Sequence, residues 1–267
     1  MGKHVGGELE KVLSKSILNQ RKRLANLAGL AEPLIKNAES GRVKVHEAGM
    51  EYTSLMVCFL LHNISAAKSL LVLYDHYGNK NYPATVGYNI ARTMFEIDVT
   101  AHYISKEPSL RAGQYIDFGW ILKMRDLQNY TSPIPNEYKK EIERNYKIVQ
   151  SQFEKEGRNG KKKVSLNWSG LNIREMAACV GHEKAYLSFY SHLSSYAHAD
   201  IRLSDSFIRL SPNEIAWSSA PGLVDTANVF WFASNFMNCY LKLFGKEFNI
   251  WKEAEVEQCE TVGEKIQ

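Results

Sequence analysis

Three polar residues lie at helical spacing within an otherwise apolar segment of the chain: Asn89, Arg92 and Glu96. Arg92 and Glu96 are four residues apart, so a guanidinium and a carboxylate can pair on one face of a helix. One interpretation is an exposed ion pair that contributes about 0.3–0.5 kcal/mol. The other is that both side chains point into a helical bundle and hold a polar partner from a second helix.

The expected partner is the segment 186–202. If this segment is a continuous helix, four of its polar residues share one face: Ser191, Ser195, His198 and Arg202. Asp200 follows closely, and a histidine flanked by serine and aspartate can act as a general acid or base near neutral pH. It could equally be a buried histidine that hydrogen-bonds a carboxylate and ties two helices together. Both hypotheses require residues 92–96 and 191–202 to meet inside the protein.

One dense basic cluster interrupts the chain, beside Glu154 and Glu156: Lys155, Arg158, Lys161, Lys162 and Lys163. Its glycine-containing sequence predicts a linker between helices. The cluster is either a solvated loop or a loop that contacts phosphate groups.

The motifs of several enzyme classes are absent from the sequence. There is no P-loop, no GxGxxG, no GxSxG and no HExxH, since the segment from His182 to Tyr186 lacks the second histidine. Four other histidines stand singly on apolar helices and are predicted to be core or boundary residues: His62, His76, His102 and His192. We therefore expect neither a metal site nor a cofactor.

The composition is that of an ordinary soluble globular protein. The chain has 267 residues and a net charge of +4, too little to form a strong polyanion-binding surface. Its four cysteines form no CxxC pair, which favours a reducing compartment, and we predict a cytoplasmic protein. The apolar runs 54–73 and 225–242 contain polar residues or are short, so they are interpreted as core helices rather than membrane spans.

The apolar periodicity is helical almost throughout, and it predicts an all-α fold: a single bundle of about seven or eight helices. Alternation around a turn signal predicts one small β-hairpin at 207–217. We divide the chain into an N-terminal helical arm (1–45), a bundle core (46–247) and a C-terminal tail (248–267).

Two segments resemble a widespread bacterial family of all-helical proteins of unknown function. AKSLLVLYDHYGN with NIARTMFEIDVTAHYIS resembles its helix, loop and R-x-x-x-E helix, and NWSGLNIREMAACVGHEKAYLSFYSHLSSYAHAD resembles its tryptophan and S-x-x-H signature. That family resembles the HEPN (higher eukaryotes and prokaryotes nucleotide-binding) group, helical bundles that include metal-independent ribonucleases of toxin–antitoxin and phage-defence systems. In HEPN enzymes four to six residues separate the catalytic arginine from a histidine on the same helix, and no histidine here has an arginine five to seven positions upstream.

The resemblance implies two functions. The first is a non-catalytic module that binds a nucleotide, RNA or a protein partner, in a stress or phage-defence system and as a homodimer by analogy with HEPN proteins. In that case Arg92, Glu96 and His198 form a buried network that fixes helix register. The second is a metal-independent endoribonuclease, with His198 as acid and base, Arg92 or Arg202 stabilising phosphate charge, and Glu96 orienting the histidine.

Overall fold

The predicted all-α bundle is confirmed by the computed structural model of the protein. The structure describes residues 2–39, 44–129, 134–156, 160, 162–197, 208–211, 214–217 and 222–250. Within these residues, eight helical segments pack together if the continuous run 183–197 is taken as one.

The helices begin and end at residues that the sequence marks with prolines, glycines and capping groups. Helix α2 changes direction at Gly78, which has a positive φ of 65°. The bounds are α1 Gly2–Glu39, α2 Met50–Asn81, α3 Ala84–Ser105, α4 Pro108–Asn129, α5 Asn136–Val149, α6 Ile173–Cys179, α7 Glu183–Ala185, α8 Ser191–Ala197 and α9 Leu223–Phe248. A π-helical turn, Tyr186–Tyr190, joins α7 to α8.

The main core lies where α1, α2, α3 and α9 pack against one another. Large side chains fill it, including Tyr88, Phe95 and Phe230 from α3 and α9. Helix α1 belongs to the same core, because Leu24 and Leu27 are fully buried. The division of the chain at residue 45 remains a prediction.

Within the basic segment predicted as a linker, Lys155, Lys162 and Lys163 lie on the strands of a short hairpin. Strand β1 (Glu154–Glu156) pairs antiparallel with β2 (Lys162–Val164). Phe153, just before β1, packs against Phe118 in a small second core that Val164 also contacts. Phe153 and Val164 lie at the open end of the hairpin, and their contacts with this second core attach the hairpin to α4.

The hairpin predicted at 207–217 is confirmed. Strand β3 (Ile208–Ser211) pairs antiparallel with β4 (Glu214–Trp217), and these strands lie on either side of the Pro-Asn signal in the sequence.

Among the described residues, one helix, Met50–Asn79, has the length and composition to cross a membrane. In the structure 44% of its most apolar 18-residue stretch is buried, and Tyr52, Met56 and Leu60 point into the core. An ion pair of 2.9 Å also joins Lys68 on this helix to Glu32 on α1. Core helices of soluble proteins can be equally long and apolar, so these properties are weak support for a membrane span.

Gly87 allows α3 to approach α9 closely. A Cβ atom at this position would lie 2.8 Å from Val229 Cγ1 and 2.9 Å from the Tyr82 hydroxyl oxygen. We predict that Gly87→Ala lowers the free energy of unfolding by about 1–3 kcal/mol, because both neighbours are buried and must move. Urea denaturation measures this change.

Gly29→Ala is the matched control, since Gly29 is an exposed residue of α1 with nothing within 4 Å of a new Cβ. Here alanine should stabilise the helix, by up to about 1 kcal/mol. Equal effects at the two glycines would contradict the close approach of α3 and α9.

Candidate functional site

Helix α3 carries Arg92 and Glu96, the pair predicted from the sequence. Ala91, Met94 and Phe95 are buried in the core, which leaves Arg92 and Glu96 at the edge of the buried face. Their side chains are 22% and 39% exposed, so the pair is neither fully solvated nor fully buried.

The partner of this pair is a tyrosine from the π-helical turn. Arg92 donates hydrogen bonds from Nε to Glu96 Oε1 (2.9 Å) and from Nη2 to the Tyr190 hydroxyl (3.0 Å). The Tyr190 hydroxyl in turn donates to Glu96 Oε1 at 2.8 Å. We call this closed set of three hydrogen bonds the Arg–Glu–Tyr cluster.

The surroundings of Tyr190 strengthen the cluster. The Arg92 guanidinium lies 5.1 Å from the centroid of the Tyr190 ring, and the Tyr186 ring stacks on the same ring at 4.8 Å. Burial, together with the hydrogen bond to Glu96 and the charge of that carboxylate, raises the pKa of Tyr190 to about 12. The hydroxyl is therefore a proton donor to Glu96 at physiological pH.

Other predicted site residues lie apart from this cluster or outside the described residues. Asn89 is exposed and donates its side-chain amide to the Thr85 carbonyl oxygen. The structure describes helix α8 through Ala197, and its His192 ring contacts the Tyr88 ring of α3 at 5.1 Å. The following predicted positions lie outside the described residues, or for Ser195 outside the described side chains: Ser195, His198, Asp200, Arg202 and Lys161.

A groove opens beside the Arg–Glu–Tyr cluster, with a cavity volume of about 570 Å³. It runs between α3, α4 and the segment 166–173, and its walls combine aromatic rings with a few polar groups. The polar lining includes Glu96, Thr93 and Asn167. The aromatic lining is Phe59, Tyr115, Phe118 and Trp168.

The β1–β2 hairpin brings lysines to the rim of this groove. Lys155 and Lys163 are directly opposite each other across the hairpin, and Lys155 Nζ donates to the Gly170 carbonyl oxygen at 3.5 Å, beside the lining residue Leu171. Lys162 instead pairs with Glu154 at 3.4 Å. Like charges opposite each other on one hairpin face repel, so this face favours an anion.

A second polar cluster, of Asp98, His102 and His182, lies on the other side of α3. Asp98 is 2% exposed, and its Oδ1 lies 3.2 Å from His102 Nδ1 while its Oδ2 lies 3.5 Å from His182 Nδ1. The two imidazole rings meet edge to face at 4.8 Å. We call these residues the Asp–His–His cluster; among the described residues it is the group of histidine, cysteine and acidic side chains close enough to hold a metal ion.

The two histidines of this cluster differ in basicity. Burial disfavours a charge on His102, but the Asp98 carboxylate and carbonyl outweigh it and raise the pKa of His102. For His182, burial has a larger effect than the attraction of Asp98 for a charged imidazole. Burial and the charge of the nearby His102 together lower the pKa of His182.

His182 owes its position to the end of α6. An Asn172–Glu175 capping box begins this helix, and Gly181, with a φ of 81°, ends it. The backbone N–H of His182 donates to the Ala177 carbonyl oxygen at 2.8 Å, the pattern of a Schellman motif. This turn directs the residue after the glycine toward α3.

Sequence reasoning missed Tyr190 and the Asp–His–His cluster. Asp98 and His102 have the ordinary i, i+4 spacing of a helix, and His182 lies far away in the sequence. The available signal was Gly181-His182 after the capped helix α6, because a glycine just past the end of a helix predicts the turn that places the next residue.

These features define an all-α bundle protein in which one central helix carries a polar cluster on each of two sides. The chain belongs to DUF5677, a family of unknown function, whose model matches residues 53–215. The match includes the groove and both clusters. No curated protein and no solved structure matches the chain.

We predict that Tyr190→Phe lowers the free energy of unfolding by about 1–2 kcal/mol, because it removes a hydroxyl that bonds two charged groups. Chemical denaturation measures the loss. Tyr186→Phe is the matched control, since it keeps the stacked ring and removes a hydroxyl outside the cluster. Equal stability of Tyr190→Phe and the unchanged protein would show that the cluster contributes nothing to folding.

Proposed function

We propose that this protein is a HEPN-like, non-catalytic module that binds single-stranded RNA, with one nucleotide held in the groove beside the Arg–Glu–Tyr cluster. The observation that carries the proposal is an aromatic groove with lysines at its rim. An aromatic wall suits a planar base, and a cationic rim suits the phosphate attached to it.

The groove has suitable size and lining for this ligand. Its volume of about 570 Å³ lies within the usual range of small-molecule sites. Tyr115 and Trp168 form one aromatic wall, with their rings 5.2 Å apart. Thr93, Asn167 and Asn172 supply neutral groups that can hydrogen-bond the edge of a base.

The rim adds the charge that the groove itself lacks. Among the described residues that line the groove, Glu96 is the one charged residue, whereas Lys155 and Lys163 project from the adjoining hairpin. A phosphate between these two lysines would relieve their mutual repulsion.

A binding role also suits the state of Arg92. Its guanidinium is already bonded to Glu96 and Tyr190 and lies over the tyrosine ring. An arginine held in this way fixes the register of two helices, which is the structural role expected of a polar network. The ribonuclease hypothesis, which depends on His198, is an alternative outcome of the experiments below.

The first experiment changes the groove. We predict that Trp168→Ala weakens binding of a fluorescently labelled oligouridine by about 5- to 150-fold, because one stacked base contributes roughly 1–3 kcal/mol. Fluorescence anisotropy measures the affinity. Trp231→Ala on α9, which removes a tryptophan away from the groove, should leave it unchanged.

A second groove variant distinguishes a loss of binding from a loss of the fold in Trp168→Ala. Leu166 lines the groove but is 80% exposed, so Leu166→Glu should keep the fold and repel the phosphates. Leu9→Glu, at an exposed leucine of α1, is its control. Unchanged affinity in both groove variants would overturn the proposal, and cleavage of the RNA would favour the ribonuclease hypothesis.

The other experiment changes the rim. We predict that Lys163→Gln weakens binding of all RNA sequences alike, because it removes about one phosphate contact. The slope of log K against log salt concentration should become shallower by about 0.7. Lys140→Gln, at an exposed lysine of α5, is the matched control. An unchanged salt slope in Lys163→Gln would remove the hairpin from the binding site.

A further inference from the structure

We propose that Asp98, His102 and His182 bind a divalent transition metal ion of the Zn²⁺ type. This site is independent of the RNA proposal, because its residues lie across α3 from the groove. The α3 residues that line the groove are Thr93, Glu96, Ile97 and Thr100. At 3.6 residues per turn their mean direction is opposite to that of Asp98 and His102.

The donor set suits such an ion. Two imidazole nitrogens and one carboxylate oxygen are the three protein ligands of many zinc and non-haem iron sites. One ligand atom from each residue lies within 4.8 Å of the other two. A tetrahedral zinc ion with ligands at about 2.0–2.1 Å separates neighbouring ligand atoms by roughly 3.3 Å. His102 Nδ1 lies 3.2 Å from Asp98 Oδ1 and His182 Nδ1 lies 3.5 Å from Asp98 Oδ2, so each nitrogen is near this distance from one of the two carboxylate oxygens.

Two buried polar atoms of the cluster support a ligand independently of this spacing. Among the described residues, Asp98 Oδ1 and His182 Nδ1 make no hydrogen bond of ordinary geometry, although His102 Nδ1 lies 3.2 Å from Asp98 Oδ1. Buried carboxylates and imidazoles are normally satisfied, because an unpaired one destabilises the fold. A cation bound by Asp98 and His182 would satisfy both atoms at once.

The orientation of His102 also fits metal binding. Its Nδ1 lies 2.9 Å from the Asp98 carbonyl oxygen, so a proton on Nδ1 would be donated to that oxygen. The same nitrogen lies 3.2 Å from Asp98 Oδ1, so Nδ1 is the ring nitrogen that faces the cluster. A metal ion bound at Nδ1 would replace the proton of this hydrogen bond, because metal binding requires a deprotonated ring nitrogen.

The site has access to solvent and a favourable charge. The His102 and His182 side chains are each 23% exposed, which leaves room for water as a further ligand. The negative charge of Glu247 also acts on His102, in addition to that of Asp98. The nearby cation Lys106 is bonded to the Cys179 carbonyl oxygen.

The test uses the full-length protein stripped of metal by a chelator and then dialysed. Isothermal titration with Zn²⁺ should show one saturable site per chain, and Co²⁺ should give the visible absorption of a site with nitrogen and oxygen ligands. His182→Ala should weaken Zn²⁺ binding by more than about 100-fold, since losing a ligand exceeds the effect of an outer contact. His62→Ala, at an exposed histidine of α2, should bind as the unchanged protein does.

Thermal unfolding provides a second readout. Zn²⁺ should raise the Tm of the unchanged protein and of His62→Ala, but not that of His182→Ala. His102→Gln guards against a folding defect specific to one variant and should behave like His182→Ala. The proposal is overturned if Zn²⁺ binds without saturation, or if folded His182→Ala and His102→Gln retain the affinity of the unchanged protein. Neither result would affect RNA binding in the groove.

Discussion

The packing of α3 against α9 is the contact on which both candidate sites depend. Gly87 lets the two helices approach until Val229 and Tyr82 fill the space that a side chain would take. Ala91 and Phe95 continue the same buried face. With this face fixed in the core, the residues beside it are presented to α8 and to the groove, while Asp98 and His102 face His182 in the turn after α6. A shift of α3 along its axis would therefore disturb both sites together.

The Arg–Glu–Tyr cluster holds in place the segment Tyr186–Tyr190, which lacks the regular hydrogen bonds of an α-helix. The π-helical turn Tyr186–Tyr190 interrupts the ordinary hydrogen-bond ladder between α7 and α8. Its Tyr190 is held by two charged groups of α3 and by the Tyr186 ring. A partly buried set of hydrogen bonds of this kind specifies one register of the two segments, in addition to any stability it provides.

Some of these features could be predicted from the sequence, and the reasons for success and failure are local. Apolar periodicity predicts the helices, and the turn signal Pro-Asn between alternating residues predicts the hairpin β3–β4. The Arg92–Glu96 pair follows from i, i+4 spacing. Tyr190 could not be found in this way, because a tyrosine in an apolar helix is as often a core residue as a hydrogen-bond donor in a polar cluster. The β1–β2 hairpin depends on Phe153 packing against Phe118, a contact between distant elements that no local pattern reveals.

The two polar clusters act on the same stretch of chain. His182 directly precedes the segment 183–197, and Tyr190 lies within it, so Asp98 fixes the start of this segment while Arg92 and Glu96 fix its middle. A carboxylate as buried as Asp98 requires a positive partner. A proton on His102 and a metal ion are two ways to supply that charge, and they differ in one respect. The proton neutralises Asp98 within α3, whereas an ion bound by all three residues also joins α3 to the turn after α6. Metal binding would then stabilise the attachment of the segment that carries Tyr190.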